Sequence, residues 1–245
     1  MGEITKISWC NHSFNPWIGC TKISPGCDNC YAETLNHRWG DDNWGKGKPR
    51  RMTADANWRL PLRWNREAEQ NAKKAMVFCG SLCDVMDDEA PEGARERLWE
   101  LINQTPMLTW QLLTKRPHRY KRYLPEFRYG NVWLGTSAEN QEFYDVRWPI
   151  LEKLRDRCAA LFISYEPALG AVRMTGVGNG FPDWLIFGGE SGNNRRPMER
   201  IWAESISEEC RIAGTKFFMK QMGARTPEEG ANLIPAELII RQFPA

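Results

Sequence analysis

The sequence lacks a long hydrophobic run and a strong excess of charge of either sign. No stretch approaches the roughly 20 consecutive apolar residues that a membrane-spanning helix needs. The 33 basic and 31 acidic side chains give a formal net charge of +2 at pH 7, which is not the polybasic field on which non-specific DNA binding depends. The N-terminal residues also lack the basic and then apolar order of a secretory signal. We therefore expect a cytoplasmic protein with no membrane partner, and a nucleic-acid substrate is neither required nor excluded.

Several catalytic motifs are absent as well. The sequence has neither a Walker-type phosphate loop nor the nucleophile elbow of serine hydrolases, so it offers no starting residue for a kinase or a hydrolase. Its three histidines, His12, His37 and His118, are not spaced as metal ligands. The eight cysteines remain as the chemically distinctive residues, and in a reducing compartment they indicate metal binding, catalysis or burial more than disulfides.

Short apolar segments recur along the chain and predict buried strands. Most are nearly continuously apolar, as parallel strands covered on both faces are. Between them, Pro91–Asn103 and Val146–Arg157 have the periodicity of amphipathic helices. The alternation predicts a single α/β domain over residues 1–245, with a partial or complete (β/α) barrel. The predicted strands are Ile7–Trp9, Met76–Gly80, Thr109–Leu113, Val132–Gly135, Leu161–Ser164, Leu185–Gly188 and Lys216–Met219.

Residues 36–65 depart from this pattern and predict an inserted lid or loop region with short helices. Two interpretations of its mixed aromatic and basic composition stay open. The region could stack on a flipped base and hold phosphates, or it could be a solvated lid whose tryptophans pack against the barrel. The residues concerned are Trp39, Trp44, Trp58, Trp64, Lys46, Lys48, Arg50 and Arg51.

Three cysteines lie within eleven residues, directly after the first predicted strand. Cys20, Cys27 and Cys30 are separated by six and two residues, and Pro25-Gly26 between them favours a turn that brings the sulfurs together. A [4Fe-4S] cluster with three protein ligands keeps one iron open. That open iron is the site where S-adenosylmethionine (SAM) binds in enzymes that cleave it. The spacing therefore indicates an iron–sulfur cluster of this type.

A structural zinc site is the alternative to the cluster. It requires four ligands, and Cys10 or His12 would complete the set. The spacing of Cys79 and Cys83 also permits a second metal pair, although Cys79 lies in a strand-like apolar segment and is expected in the core. Burial is likewise predicted for Cys158 and Cys210.

Polar residues follow six of the predicted strands. The carboxyl ends of parallel strands lie at one edge of a sheet, where binding and catalysis concentrate. One polar ending alone is weak evidence because loops are polar in general, but six together predict a functional edge. The glycine pair Gly188-Gly189 would let a ligand approach the backbone closely. The segments are Gly80–Asp84, Thr114–Pro117, Thr136–Asn140, Tyr165–Pro167, Gly189–Gly192 and Lys220-Gln221.

The cysteine motif and the strand-end segments together resemble the phage Gp37/Gp68-type family, also classed as a domain of unknown function (DUF5131). The resemblance rests first on Asn15–Cys20 and Ser24–Ala32. That family is similar to radical SAM enzymes in its barrel and its three-cysteine cradle, although the usual radical SAM motif has three residues between the first two cysteines, where this chain has six. Further matching blocks are Gly80-Ser81 with Asp84, Thr114–Pro117, Trp133–Ser137 with Glu139-Asn140, Ser164–Pro167, Gly188–Gly192 and Phe218–Gly223.

The resemblance implies a role for each matching position. Cys20, Cys27 and Cys30 would hold a [4Fe-4S] cluster, and Tyr31 would lie beside the adenine of SAM. The implied cofactor-binding residues are Tyr31, Gly80, Ser81, Asp84, Ser137, Glu139, Gly188 and Gly189, the catalytic residues are Glu166, Glu190 and Lys220, and the substrate-binding residues are Lys115, Arg116 and Gln221.

The resemblance also implies an activity, that of a radical SAM enzyme of the isomerase or lyase class. Such an enzyme takes an electron from an external reductant and generates a 5′-deoxyadenosyl radical from SAM. Because the family is common in phages, the expected substrate is DNA or a modified nucleobase, for example an amino acid attached to thymine that is isomerised. Two alternatives stay open: a non-catalytic nucleic-acid-binding protein with zinc on Cys10, Cys20, Cys27 and Cys30, and a radical SAM lyase that repairs DNA.

Overall fold

The computed structural model describes residues 5–126, 129–176, 178 and 180–244. Seven strands form one sheet, in which the order in space follows the order along the chain. Neighbouring strands run parallel in four pairs: the first with the second, the second with the third, the fifth with the sixth, and the sixth with the seventh. The strands are β1 His12–Phe14, β2 Ala75–Cys79, β3 Leu108–Thr114, β4 Val132–Ser137, β5 Ala160–Tyr165, β6 Trp184–Gly188 and β7 Lys216–Gln221.

The strand order confirms the predicted α/β class. Every residue of β4, β5 and β6 is buried, which agrees with the continuous apolar segments from which we predicted them. The order ends at β1 and β7, which do not pair with each other in the described residues. The sheet is therefore open, as in a partial (β/α) barrel, and is not a complete barrel.

The first of two compact units comprises residues 1–23, 30–134 and 157–159. Its core is aromatic: the ring of Phe14 meets Trp58 at 5.2 Å and Trp110 at 5.6 Å between centroids, both edge-on. A short ribbon pairs Trp17–Ile18 with Arg51–Met52 in antiparallel fashion. The helices of this unit are α1 Tyr31–Arg38, α2 Asp55–Gln70, α3 Ala94–Asn103 and α4 Tyr120–Tyr123.

The second unit comprises residues 24–29, 135–156 and 160–245. Its core is built around Trp184, whose ring lies 5.7 Å from Phe162 and 6.0 Å from Phe218. Asn140 caps the first helix by accepting a hydrogen bond from the Phe143 amide at 3.0 Å, as polar N-cap residues do. The helices of this unit are α5 Gln141–Glu152, α6 Arg200–Ala213 and α7 Pro227–Asn232.

Two predicted elements differ from the structure. The strand predicted at Ile7–Trp9 is wrong: Cys10 donates to the Ile7 carbonyl at 3.4 Å in a turn, and β1 begins at His12. Trp9 is buried against Phe78, so its apolar character reported burial and not strand geometry. The predicted helix Val146–Arg157 begins earlier, because the Asn140 cap sets its start, and it ends at Glu152.

The predicted lid, residues 36–65, contains the Arg51–Met52 strand and more than half of α2. Trp44, Trp58 and Trp64 are buried, whereas Trp39 is 48% exposed. Arg50 is buried as well and donates to Asp87 at 2.8 Å. This arrangement favours tryptophans packed in the protein over tryptophans that stack on bases. No helix in the described residues is long and apolar enough to cross a membrane.

Candidate functional site

The three clustered cysteines occupy loop and cap positions. Cys20 follows the Trp17–Ile18 strand, Cys27 ends a short 3₁₀ turn, and Cys30 precedes the first residue of α1. All three are partly exposed, and none of the eight cysteines, all of which are described, forms a disulfide. Cys20 and Cys30 pack against one apolar cluster of the first unit, formed by Ile18, Ala32, Trp44 and Leu82.

The donor set suits an iron–sulfur cluster in its chemistry. Three cysteines outside any disulfide are what a cluster with three protein ligands requires. Across the described residues, however, no three His, Cys, Asp or Glu side chains are arranged as a metal-binding group. The three residues therefore fit the cluster in donor type.

The remaining cysteines of the predicted core are buried. Cys79, Cys158 and Cys210 have at most 1% exposure. Burial raises the pKa of Cys79, and burial followed by the neighbouring Cys79 raises that of Cys83. Cys79 and Cys83 are both buried side chains of the core.

Asp84, which follows β2, binds residues at the end of β3. The strand-end pattern predicted that polar residues after these strands lie at the same edge of the sheet. The Asp84 carboxylate accepts hydrogen bonds from Thr114 Oγ1 at 2.6 Å, the Lys115 amide at 3.1 Å and Arg116 Nη1 at 2.8 Å. The Met86 amide adds a fourth at 2.9 Å. Asp84, for which we predicted contact with SAM, is therefore engaged by protein donors.

Arg116 lies against a candidate cluster ligand. Its Nη1 is 3.8 Å from the Cys20 sulfur, and its Nη2 donates to the Thr21 carbonyl at 2.8 Å. Burial and then Asp84 raise the pKa of Cys20 to about 12, against the opposing effect of Arg116. We predicted Arg116 to bind substrate, but the structure places it at 7% exposure beside sulfur.

Tyr31 and the segment after β2 are connected through hydrogen bonds. The Tyr31 hydroxyl donates to the Ser81 carbonyl at 2.7 Å, while 57% of this residue is exposed. Gly80 has a positive φ of 99°, which glycine adopts at no steric cost. Asn15 shapes the same segment by donating to Ser81 Oγ at 2.9 Å and accepting from the Leu82 amide at 2.7 Å. Asn15 belongs to the first matching motif, yet no local pattern in the sequence indicates this role.

Glu139 binds one end of the turn that carries Cys27, which comprises residues 24–29 and is called the Cys27 turn below. The carboxylate is fully buried and accepts from the Gly26 amide at 3.3 Å and from Arg147 Nη1 at 2.9 Å. Arg147 also donates to the carbonyl of Ser137 at 2.9 Å. Ser137 and Glu139, predicted to bind SAM, are thus tied to an arginine that sequence reasoning missed.

Glu190 holds the other end of the same turn. It accepts from Asn29 Nδ2 at 2.9 Å and from the Arg196 amide at 2.8 Å, and Arg196 Nη1 reaches Asp28 at 3.3 Å. Burial alone would raise the pKa of Glu190, but the hydrogen bonds from Arg196 and Asn29 lower it on balance. Asn29 and Glu190 are 161 residues apart, so no local pattern could reveal the pair.

The predicted catalytic residues Glu166 and Lys220 are brought together at the ends of β5 and β7. Lys220 Nζ lies 2.7 Å from Glu166 Oε1, with side-chain exposures of 28% and 14%. Ser164 Oγ donates to the other carboxylate oxygen at 3.1 Å. Gln221 donates to the Gly189 carbonyl at 2.9 Å, so its amide is engaged with the backbone.

Gly189 is approached closely by the protein's own backbone. A Cβ at this position would lie 2.4 Å from the amide nitrogen and 2.8 Å from the Cα of Gly223. We expect Gly189→Ala to lower the free energy of unfolding by about 1–3 kcal/mol, the usual cost of overpacking, as measured by urea denaturation. Gly170→Ala is the control, because nothing lies within 4 Å of its added methyl group. Equal stability of the two variants would contradict the expectation.

Comparison with solved structures finds two similar chains, both of spore photoproduct lyase. Spore photoproduct lyase complexed with dinucleoside spore photoproduct aligns with 12% identity and a TM-score of 0.47, over 80% of this chain and 60% of that one. A variant of spore photoproduct lyase with bound AdoMet and dinucleoside spore photoproduct aligns with 13% identity and a TM-score of 0.49, over 82% and 61%. The chain thus spans about three fifths of the length of each.

Comparison with sequences gives a different kind of result. No curated protein matches the chain. A family model described as "Protein of unknown function (DUF5131)" matches residues 4–238, which is nearly the whole chain and includes every candidate site residue named above. The chain therefore belongs to the DUF5131 family.

Proposed function

We propose that this chain is a radical SAM enzyme that acts on a base in DNA or on a modified nucleobase. The observation that carries the proposal is the set of three partly exposed cysteines, Cys20, Cys27 and Cys30, within eleven residues and outside any disulfide. They accompany an open parallel sheet whose strand ends carry charged side chains. Three thiolates leave one iron of a [4Fe-4S] cluster without a protein ligand.

Cys20, Cys27 and Cys30 would hold the cluster, which would supply one-electron reduction of SAM with electrons from an external reductant. The surrounding residues have separate tasks. Arg116 donates toward the Cys20 sulfur, and hydrogen bonds to ligand sulfurs help set the reduction potential of a cluster. Tyr31 offers an exposed ring suited to stack on adenine.

Glu139 and Glu190 position the Cys27 turn in this proposal. Both carboxylates are buried and bind the turn directly, so they act through Cys27 and not on the substrate. Glu166 and Lys220 remain the candidate catalytic residues, because their ion pair is partly exposed at the strand ends. A paired carboxylate and ammonium can hold or move a proton on a bound substrate.

The reaction that we propose to test first is isomerisation of an amino acid attached to thymine in phage DNA. A lyase reaction on a damaged base is the alternative within the same chemistry. The two are distinguished by the product: isomerisation conserves the mass of the modified base, whereas a lyase splits it. Mass spectrometry of nucleosides after digestion separates these outcomes.

The proposal is tested by anaerobic reconstitution with iron and sulfide. We expect a brown protein with about four iron and four sulfide atoms per chain, which cleaves SAM to methionine and 5′-deoxyadenosine once a one-electron reductant is added. One tightly bound zinc per chain without SAM cleavage would instead support the structural zinc site that includes Cys10.

A further inference from the structure

The segment Lys115–Tyr123 concentrates positive charge in a chain that is otherwise slightly acidic. It contains five of the 33 lysine and arginine residues, and no Asp or Glu occurs between Thr105 and Pro125. The remaining 28 basic residues are outnumbered by the 31 acidic ones. The formal net charge of +2 therefore conceals a local cationic segment directly after β3.

Hydrogen bonds anchor this segment to β3 and α3. Tyr120 is fully buried and its hydroxyl donates to the Leu112 carbonyl of β3 at 3.0 Å. The carbonyl of Tyr123 accepts from Trp99 Nε1 at 3.1 Å. These bonds fix both ends of the short helix α4, so the side chains between them are carried on an ordered backbone.

Not every cation of the segment is available to a partner. Arg116 is buried on Asp84, and Arg119 pairs with Asp88. Burial and then Arg119 lower the pKa of His118, whose Nε2 accepts a hydrogen bond from Arg119 Nε at 2.9 Å. Lys121 and Arg122 are exposed and Lys115 is partly exposed.

The aromatic ring in the segment is already covered by cations. The guanidinium of Arg95 lies 3.7 Å from the centroid of Tyr123, and that of Arg122 lies 5.1 Å from it. Tyr123 is therefore better suited to place guanidinium groups through cation–π contacts than to stack on a base. The Tyr123 hydroxyl also donates to Asp88 at 2.9 Å. Guanidinium groups commonly bind phosphates in nucleic acids, and phosphate contacts carry no sequence information.

We propose that Lys115–Tyr123 is a contact surface for the phosphate backbone of a nucleic acid. The inference deepens the proposed function, since it rests on a nucleic-acid substrate and states where that substrate is held. Arg116 connects the surface to the candidate site, because its guanidinium touches the Cys20 sulfur within the same unit. The phosphates of the nucleic-acid strand next to the reacting base would bind to Lys115, Lys121 and Arg122.

The test is the salt dependence of DNA binding. Binding is measured by the fluorescence anisotropy of labelled duplex DNA and of labelled single-stranded DNA with the same sequence. We expect the double variant Lys121→Ala/Arg122→Ala to reduce the slope of log K against log salt by about 0.9 for each lost phosphate contact on duplex DNA and about 0.7 on a single strand. Lys73→Ala/Lys74→Ala removes the same charge from two exposed lysines before β2 and is expected to leave the slope unchanged.

Three results would overturn the inference: equal slopes for the two double variants, no binding of either DNA by the parent chain, or tighter binding to anionic vesicles than to DNA. Binding is measured without reductant or SAM. If the chain cleaves SAM but the Lys121→Ala/Arg122→Ala variant has an unchanged slope, the contact surface is contradicted and the radical SAM proposal stands. If the slope is reduced but SAM is not cleaved, the radical SAM proposal is contradicted and the contact surface stands.

Discussion

Replacing Cys27 with serine is expected to remove nearly all cluster iron and to abolish SAM cleavage. In the proposed cluster the Cys27 thiolate is a ligand, and a serine hydroxyl does not replace it at neutral pH because its proton is retained. Two protein ligands would then remain, Cys20 and Cys30. The measurement is iron and sulfide content after anaerobic reconstitution, together with the yield of 5′-deoxyadenosine.

The matched control for this prediction is Cys10→Ser, because Cys10 is also a partly exposed cysteine but lies outside the triad. We expect it to keep both the cluster and the cleavage of SAM. The control also separates the two metal assignments, since Cys10 is the fourth ligand in the zinc alternative. Loss of bound metal in Cys10→Ser to the same extent as in Cys27→Ser would contradict the cluster assignment.

Asp84→Ala is expected to lower the free energy of unfolding by about 3–5 kcal/mol, because it leaves the buried Arg116 guanidinium without its carboxylate. The two side chains are 8% exposed and 2.8 Å apart. Thr114 and the Lys115 amide lose their acceptor as well. Urea denaturation followed by circular dichroism measures the change in the free energy of unfolding.

Asp55→Ala is the control for Asp84→Ala. It removes an aspartate that also pairs with an arginine at 2.8 Å, but the side chains of Asp55 and Arg97 are 70% and 43% exposed. Exposed pairs of this kind contribute little, so we expect no measurable change. Similar losses in the two variants would show that Asp84 is not the electrostatic centre that its four donors indicate.

The main features of the fold could be predicted from the sequence because buried parallel strands consist of continuously apolar segments. The apolar segments at β4, β5 and β6 are continuous, and every residue in them is buried. The pattern was misleading at Trp9, where a buried aromatic side chain in a turn looked like part of a strand. Hydrophobicity reports burial, and only its period reports backbone geometry.

The site was harder to predict from the sequence, because its residues act through partners that are distant along the chain. The strand-end pattern identified Asp84, Glu139 and Glu190 as charged groups at one edge. The family resemblance implied SAM binding for Asp84 and Glu139 and catalysis for Glu190, and these roles stay predictions. The structure adds ion pairs of the three carboxylates with Arg116, Arg147 and Arg196. An arginine on a helix or in a loop has no periodic signal that links it to a carboxylate on another strand.

The anchoring of the Cys27 turn has a consequence for synthesis of the protein. Asn29 leaves the ribosome 161 residues before its acceptor, Glu190, a delay of roughly 10–30 s at ordinary elongation rates. Until then the turn lacks one of its two carboxylate anchors, Glu190, and has only Glu139. In the proposed enzyme, the complete set of contacts around Cys27 would therefore form only after most of the chain has been synthesised.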